Sequence, residues 1–241
     1  MRMILPLVLF LLATSAEAQQ PSKGKMRLRE AMEVQAKLSK GSISLVDVRD
    51  EWANAAKDPE VRKDKDALAI AYASRAIVER DLSNIQTADS LFSLAMPLFQ
   101  LKASKAYFLV THANLRRDAT DMTGALSIFT EIATDFDSLP QLNGIAFYAK
   151  SGYAELAYAI DAARNIALIG YNNQSLKAKA IKALSEVLKD HPADQLGLMA
   201  ILGLEKIDDV NRAKHTARKE KLVAKREDLQ TLATDFASEL N

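Results

Sequence analysis

Ala88-Asp89-Ser90-Leu91-Phe92-Ser93-Leu94-Ala95 places a small residue, an aromatic residue four positions on and a second small residue three further. On a helix these three positions share one face. The small residues let a neighbouring helix approach closely, and the aromatic ring fills the groove between the two. Ala125-Leu126-Ser127-Ile128-Phe129-Thr130-Glu131-Ile132 repeats the form with Ile at the last place. Ala180-Ile181-Lys182-Ala183-Leu184-Ser185-Glu186-Val187 repeats it more loosely, and Pro192 stands twelve residues after Ala180.

Working outward, apolar residues recur at spacings of three and four almost throughout, with no sustained alternation of period two. Leu45, Val48, Trp52 and Ala55 make one face of a short helix capped by Ser44 and broken at Asp58-Pro59. Further helices are expected at 67–80, 88–99 (ended or kinked by Pro97), 103–117, 123–136, 142–168, 176–189, 193–206 and 208–239. Short connections and the absence of strand patterns leave two architectures, a bundle or a stack of helical hairpins.

The three motif copies resemble the tetratricopeptide repeat (TPR) family, whose second helix carries A-x3-F-x2-A with a late Pro. Leu68-Ala69 with Tyr72 is similar to the family's first-helix signature, Val110-Thr111 with Asn114 departs from it, and Leu202-Gly203 opens an incomplete last unit. The anchors Ala88, Ala125 and Ala180 are spaced 37 and 55 residues apart. Against a family period of 34, the second interval holds about 21 extra residues, expected near 157–176. The resemblance covers about 62–206 and implies an all-α fold of stacked antiparallel hairpins, a TPR-like superhelix. An unrelated all-α bundle is the alternative. A helical segment at 19–61 precedes the array, and one long basic amphipathic helix at 207–241 closes it.

The family's first helices line a concave groove for a peptide or a partner helix. Aligning the signatures places Asp66, Ile70, Phe108, His112 and Arg116 on that wall. Asp66 and Ile70 occupy positions where some members clamp a C-terminal carboxylate with Lys and Asn. An acid and an aliphatic residue cannot do so, and an apolar peptide or helix suits the wall better.

Chemistry is sparse. The 241 residues include no Cys, which excludes disulfides, thiolate metal sites and thiol nucleophiles. His112, His191 and His215 stand at no metal-ligand spacing, and no phosphate loop or nucleophile elbow occurs. No metal, cofactor or catalytic residue is therefore expected. Lys plus Arg total 32 against 31 Asp plus Glu, a balance that does not draw the chain to nucleic acid. Lys214, Arg218, Lys221 and Lys225 form a basic stripe beside an apolar stripe of Leu222, Leu229, Leu232, Phe236 and Leu240. The helix that carries them caps the array or makes weak contact with a membrane surface.

Residues 1–18 have the layout of a secretory signal peptide, with Arg2, an apolar run from Ile4 to Ala13, and Ala16-Glu17-Ala18 before the cut. That run of about ten residues is half of what a bilayer span requires. The expectation is a periplasmic or secreted, non-catalytic scaffold for a protein or peptide. The alternative is an exported helical enzyme or small-ligand sensor with a pocket between helices.

Overall fold

The computed structural model describes residues 22–38, 40–135 and 157–240. The expected signal segment at 1–18 lies outside them. Among the described residues every regular element is a helix, and no helix is long and apolar enough to cross a membrane. The residues divide into two compact units, 1–115 and 116–241. That division differs from the boundaries at 61 and 206 read from the sequence, and it falls within a helix.

The first unit contains α1 (Lys23–Leu38), α2 (Leu45–Lys57), α3 (Pro59–Lys63), α4 (Lys65–Asp81), α5 (Ile85–Ala95) and most of α6 (Lys102–Asp118). Local chemistry sets its boundaries. Ser44 Oγ accepts from Asp47 N, and the Asp47 carboxylate accepts from Ser44 N, closing a reciprocal capping box. Asp58 ends α2 and caps α3, accepting from Glu60 N at 2.8 Å, with Pro59 in the first turn where no N–H is needed. Asp64 caps α4 through Ala67 N. Pro97 ends α5 at Ala95 and leaves one 3-10 turn, Met96–Leu98.

A three-residue turn, 82–84, folds α5 back on α4. Glu79 is buried there and is held by Arg75 at 3.3 Å and by Asn84 Nδ2 at 2.8 Å. Helix α4 packs against α2 as well as α5 and is buried nearly all round by Ala67, Ala69, Ile70, Ala71, Ala73, Ala76 and Ile77. Its alanines allow neighbours on more than one side. Trp52, on α2, is fully buried, and its indole N–H donates to Gln35 Oε1 at 2.7 Å.

The second unit contains α7 (Met122–Asp135), α8 (Ala157–Asn172), α9 (Lys177–Asp190), α10 (Gln195–Ile207), α11 (Arg212–Val223) and α12 (Asp228–Glu239). Four-residue connections separate α8 through α12, and each helix packs on its sequence neighbour. Within each unit this is the hairpin packing of a helical-repeat array. A Cβ on Gly170 would stand 2.6 Å from Ala180 Cβ, and one on Gly203 would stand 2.9 Å from Ala167 Cβ. Small residues thus set the spacing of α8 from both α9 and α10.

Helix α8 occupies most of the 157–176 range and packs on α7, α9 and α10, and the first part of the helix expected at 142–168 lies outside the described residues. One expectation is corrected. The single C-terminal helix is two helices, joined at 224–227. A continuous helix across 208–239 would run about 48 Å, while α10 is only 13 residues long. Folding back lets both α11 and α12 lie on α10. Their apolar residues Leu222, Leu229, Phe236 and Leu240 are all buried.

Candidate functional site

The residues assigned to the groove do not form an open wall. Ile70 and Phe108 belong to the buried core of the first unit. Phe108 stacks on Phe99 with ring centroids 5.4 Å apart. His112 is buried, stacks on Phe92 at 5.0 Å and places Nε2 2.7 Å from Asp89 Oδ1. Asp66 Oδ1 accepts from the backbone N–H groups of Gln100 and Leu101, tying the start of α4 to the approach to α6. Arg116 is half-buried and pairs with Asp121 at 3.3 Å. For Ile70 the reason is the all-round burial of α4, whose supposed inner face is covered by packed neighbours, while Phe108 and His112 on α6 are covered by Phe99 and Phe92. Alignment to a family signature fixes which residues share a face but not whether that face is covered.

The other two histidines are also structural links. His191 Nδ1 lies 2.6 Å from Asp194 Oδ2, across the turn between α9 and α10. His215 Nε2 lies 3.0 Å from Asp208 Oδ2, joining α11 to the end of α10. Burial raises the Asp208 carboxyl, but hydrogen bonds from His215 and Asn211 outweigh it and hold it below the usual carboxylate range. Among the described residues no group of three or more His, Cys, Asp or Glu is placed to hold a metal.

An open cleft lies in the second unit, where the end of α6 meets α7 and α8. Its volume is about 180 Å³, and it is lined by Arg117, Met122, Asn165, Leu168, Ile169, Asn172 and Asn173. Helix α8 supplies Asn165, Leu168, Ile169 and Asn172, which recur at helical spacing along one face. The floor is apolar and the polar groups are neutral amides, apart from one guanidinium. Arg117 donates from Nη1 to Asn165 Oδ1 at 2.7 Å. Asn165 is buried, and its Nδ2 donates to the Asp161 carbonyl at 2.8 Å. The amide is therefore locked with its oxygen toward Arg117.

This arrangement orients the guanidinium through a neutral amide. Among the described residues, its ion pair is with Asp118, at a marginal 3.5 Å. Asp161, one turn before Asn165, pairs with Arg164 at 3.4 Å. Burial pushes the Asp161 carboxyl above its ordinary range, against the pull of Arg164 and Arg117. Arg164 also reaches Glu239, so it is shared between two acids. Arg117 keeps donors to offer. No residue pattern pointed to this site, because Arg117 and Asn165 are 48 positions apart and neither belongs to a motif.

The basic stripe falls on α11, with Lys225 in the connection that follows. Lys214, Arg218, Lys221 and Lys225 are all exposed. With both surfaces described, comparison with known proteins finds no family model, no curated protein and no solved structure that matches this chain.

Proposed function

We propose that this is an exported, non-catalytic binding protein of TPR-like build, which receives a carboxylate-bearing side chain of a protein or peptide partner in the Arg117 cleft. The observation that carries the reading is an arginine fixed by a buried neutral amide at the mouth of an apolar-floored cleft. A guanidinium presents a planar fork of donors that matches a carboxylate, and it keeps its charge at any physiological pH. Held by Asn165, it loses little rotamer freedom on binding. Pockets for whole small molecules measure roughly 300–1,000 Å³, and this cleft is about 180 Å³. It suits one inserted side chain.

Three features support the TPR-like build. Ala88, Phe92 and Ala95 are fully buried, as are Ala125, Phe129 and Ile132, and Ala180, Leu184 and Val187 follow them. Ala180 is the small residue that meets Gly170 on α8. Export rests on residues 1–18 alone. The groups lining the cleft bind by hydrogen bonds and do not exchange protons near neutral pH, which supports a binding role.

A photo-crosslinking residue at the exposed position Asn172 tests the proposal in the full chain. A discrete protein adduct that disappears in Arg117→Gln is the expected result. An adduct unchanged by that substitution removes the cleft from consideration. A free small carboxylate is the second occupant that the volume admits, and an NMR titration with acetate separates the two. Saturable shifts at the Arg117 side chain, without any protein adduct, favour a small-ligand sensor.

A further inference from the structure

The basic residues between Arg212 and Arg226 fall into two groups. The fold takes up three of them. Arg212 bonds the Glu205 carbonyl and the Asp209 carboxylate. Lys219 Nζ lies 2.9 and 2.7 Å from the two Glu205 carboxylate oxygens. Arg226 spans the Asp228 carboxylate at 2.8 and 2.7 Å and reaches the Ala193 carbonyl at 3.0 Å. The remaining four are Lys214, Arg218, Lys221 and Lys225, the members of the stripe. Among the described residues, their side chains make one bond, from Arg218 to the Leu188 carbonyl at 3.4 Å. A carbonyl is neutral, so that charge too stays uncompensated.

The opposite side of α11 is spent. His215 and Leu222 are buried, and so are Leu229, Phe236 and Leu240 beyond the turn. A helix that inserts into a bilayer keeps an apolar face free, and this pair has turned its own into the fold. What faces solvent is a row of three cations along α11, Lys214, Arg218 and Lys221, about 10 Å from first to last at the helical rise, with Lys225 exposed in the connection that follows. Glu220 is the one acid between Arg212 and Arg226. It lies off the stripe, because its spacing from Arg218 and Lys221 puts it on another face. A flat surface with many anions complements a run of exposed cations, whereas a peptide ligand needs a groove or side-chain pockets. We propose that this face of α11 docks the protein on an anionic lipid bilayer, reversibly and by charge alone.

The test is co-sedimentation of the full chain with vesicles of about 30% phosphatidylglycerol in phosphatidylcholine, and with phosphatidylcholine alone. The difference between the two isolates the contribution of charge from any made by the apolar residues 4–13. Each basic residue near an anionic surface is worth roughly fivefold in partitioning. The variant Lys214→Gln/Lys221→Gln/Lys225→Gln is expected to lose on the order of a hundredfold of the anionic preference. Lys37→Gln/Lys40→Gln/Lys57→Gln, an equal charge change at exposed positions elsewhere, is expected to lose little. Raising NaCl from about 0.05 to about 0.5 M is expected to abolish the preference. Three outcomes overturn the proposal: no preference for anionic vesicles, an equal loss in both variants, or stripe-dependent binding of soluble polyglutamate with vesicles left unbound. The last assigns the stripe to an acidic protein.

Discussion

Each of the three histidines bonds an aspartate, and each pair sits where two helices meet: His112 with Asp89, His191 with Asp194, His215 with Asp208. Groups that look reactive in a sequence are here joints of the packing. The pairs differ in how local they are: His191 and Asp194 stand three apart within one turn, Asp208 and His215 seven apart across another, and Asp89 and His112 are 23 apart on separate helices, beyond the reach of local reasoning. Asp208 also makes a measurable prediction. Its folded pKa lies below its unfolded one, so its stabilising contribution is complete above the unfolded value, about 3.9, and is lost as pH falls through the folded value. The gap in urea midpoint between wild type and Asp208→Asn should narrow as the pH is lowered from about 5 toward 2. A gap constant through acid pH would show that the carboxylate's charge does not matter there.

At the scale of elements, most boundaries were legible because local chemistry sets them. Ser44, Asp58-Pro59 and Pro97 each end or start a helix at the position that their backbone preferences dictate. The turn at 224–227 was not legible. It contains no Gly or Pro, and the helix breaks because α10 is too short to hold a straight partner. Nor was the covering of α4, which is a property of its neighbours rather than of its own pattern. The Arg117 cleft was hidden for the same reason, since its parts come from separate helices. The repeated motif was the strongest element signal, and it supports a prediction at one of its anchors. Ala180 Cβ already meets Gly170 on α8. Ala180→Leu adds three carbons where no space exists, which prises α8 from α9. The expected loss is about 1–3 kcal/mol, typical of overpacking, read by urea denaturation. Exposed Ala178→Leu, one turn-face away on α9, should change stability by less than about 0.5 kcal/mol.

The whole molecule divides near Leu115, and the two units carry unequal spectroscopic signals. Trp52 is the one tryptophan of the chain and lies fully buried in the first unit. Its fluorescence therefore reports that unit, while far-UV circular dichroism reports helices in both. Phe236 is buried in the second unit, on α12, where the terminal helix pair covers α10. Removing its ring leaves a cavity and should destabilise the second unit by about 3–5 kcal/mol, a large share of the 5–15 kcal/mol that holds a typical domain together. Two cores stabilised separately should respond separately, even though α6 runs through the division. In Phe236→Ala, part of the dichroism should unfold at lower urea while the Trp52 midpoint stays where it is in wild type. If both signals shift together, the units unfold as one body, and the division describes contact density rather than cooperativity.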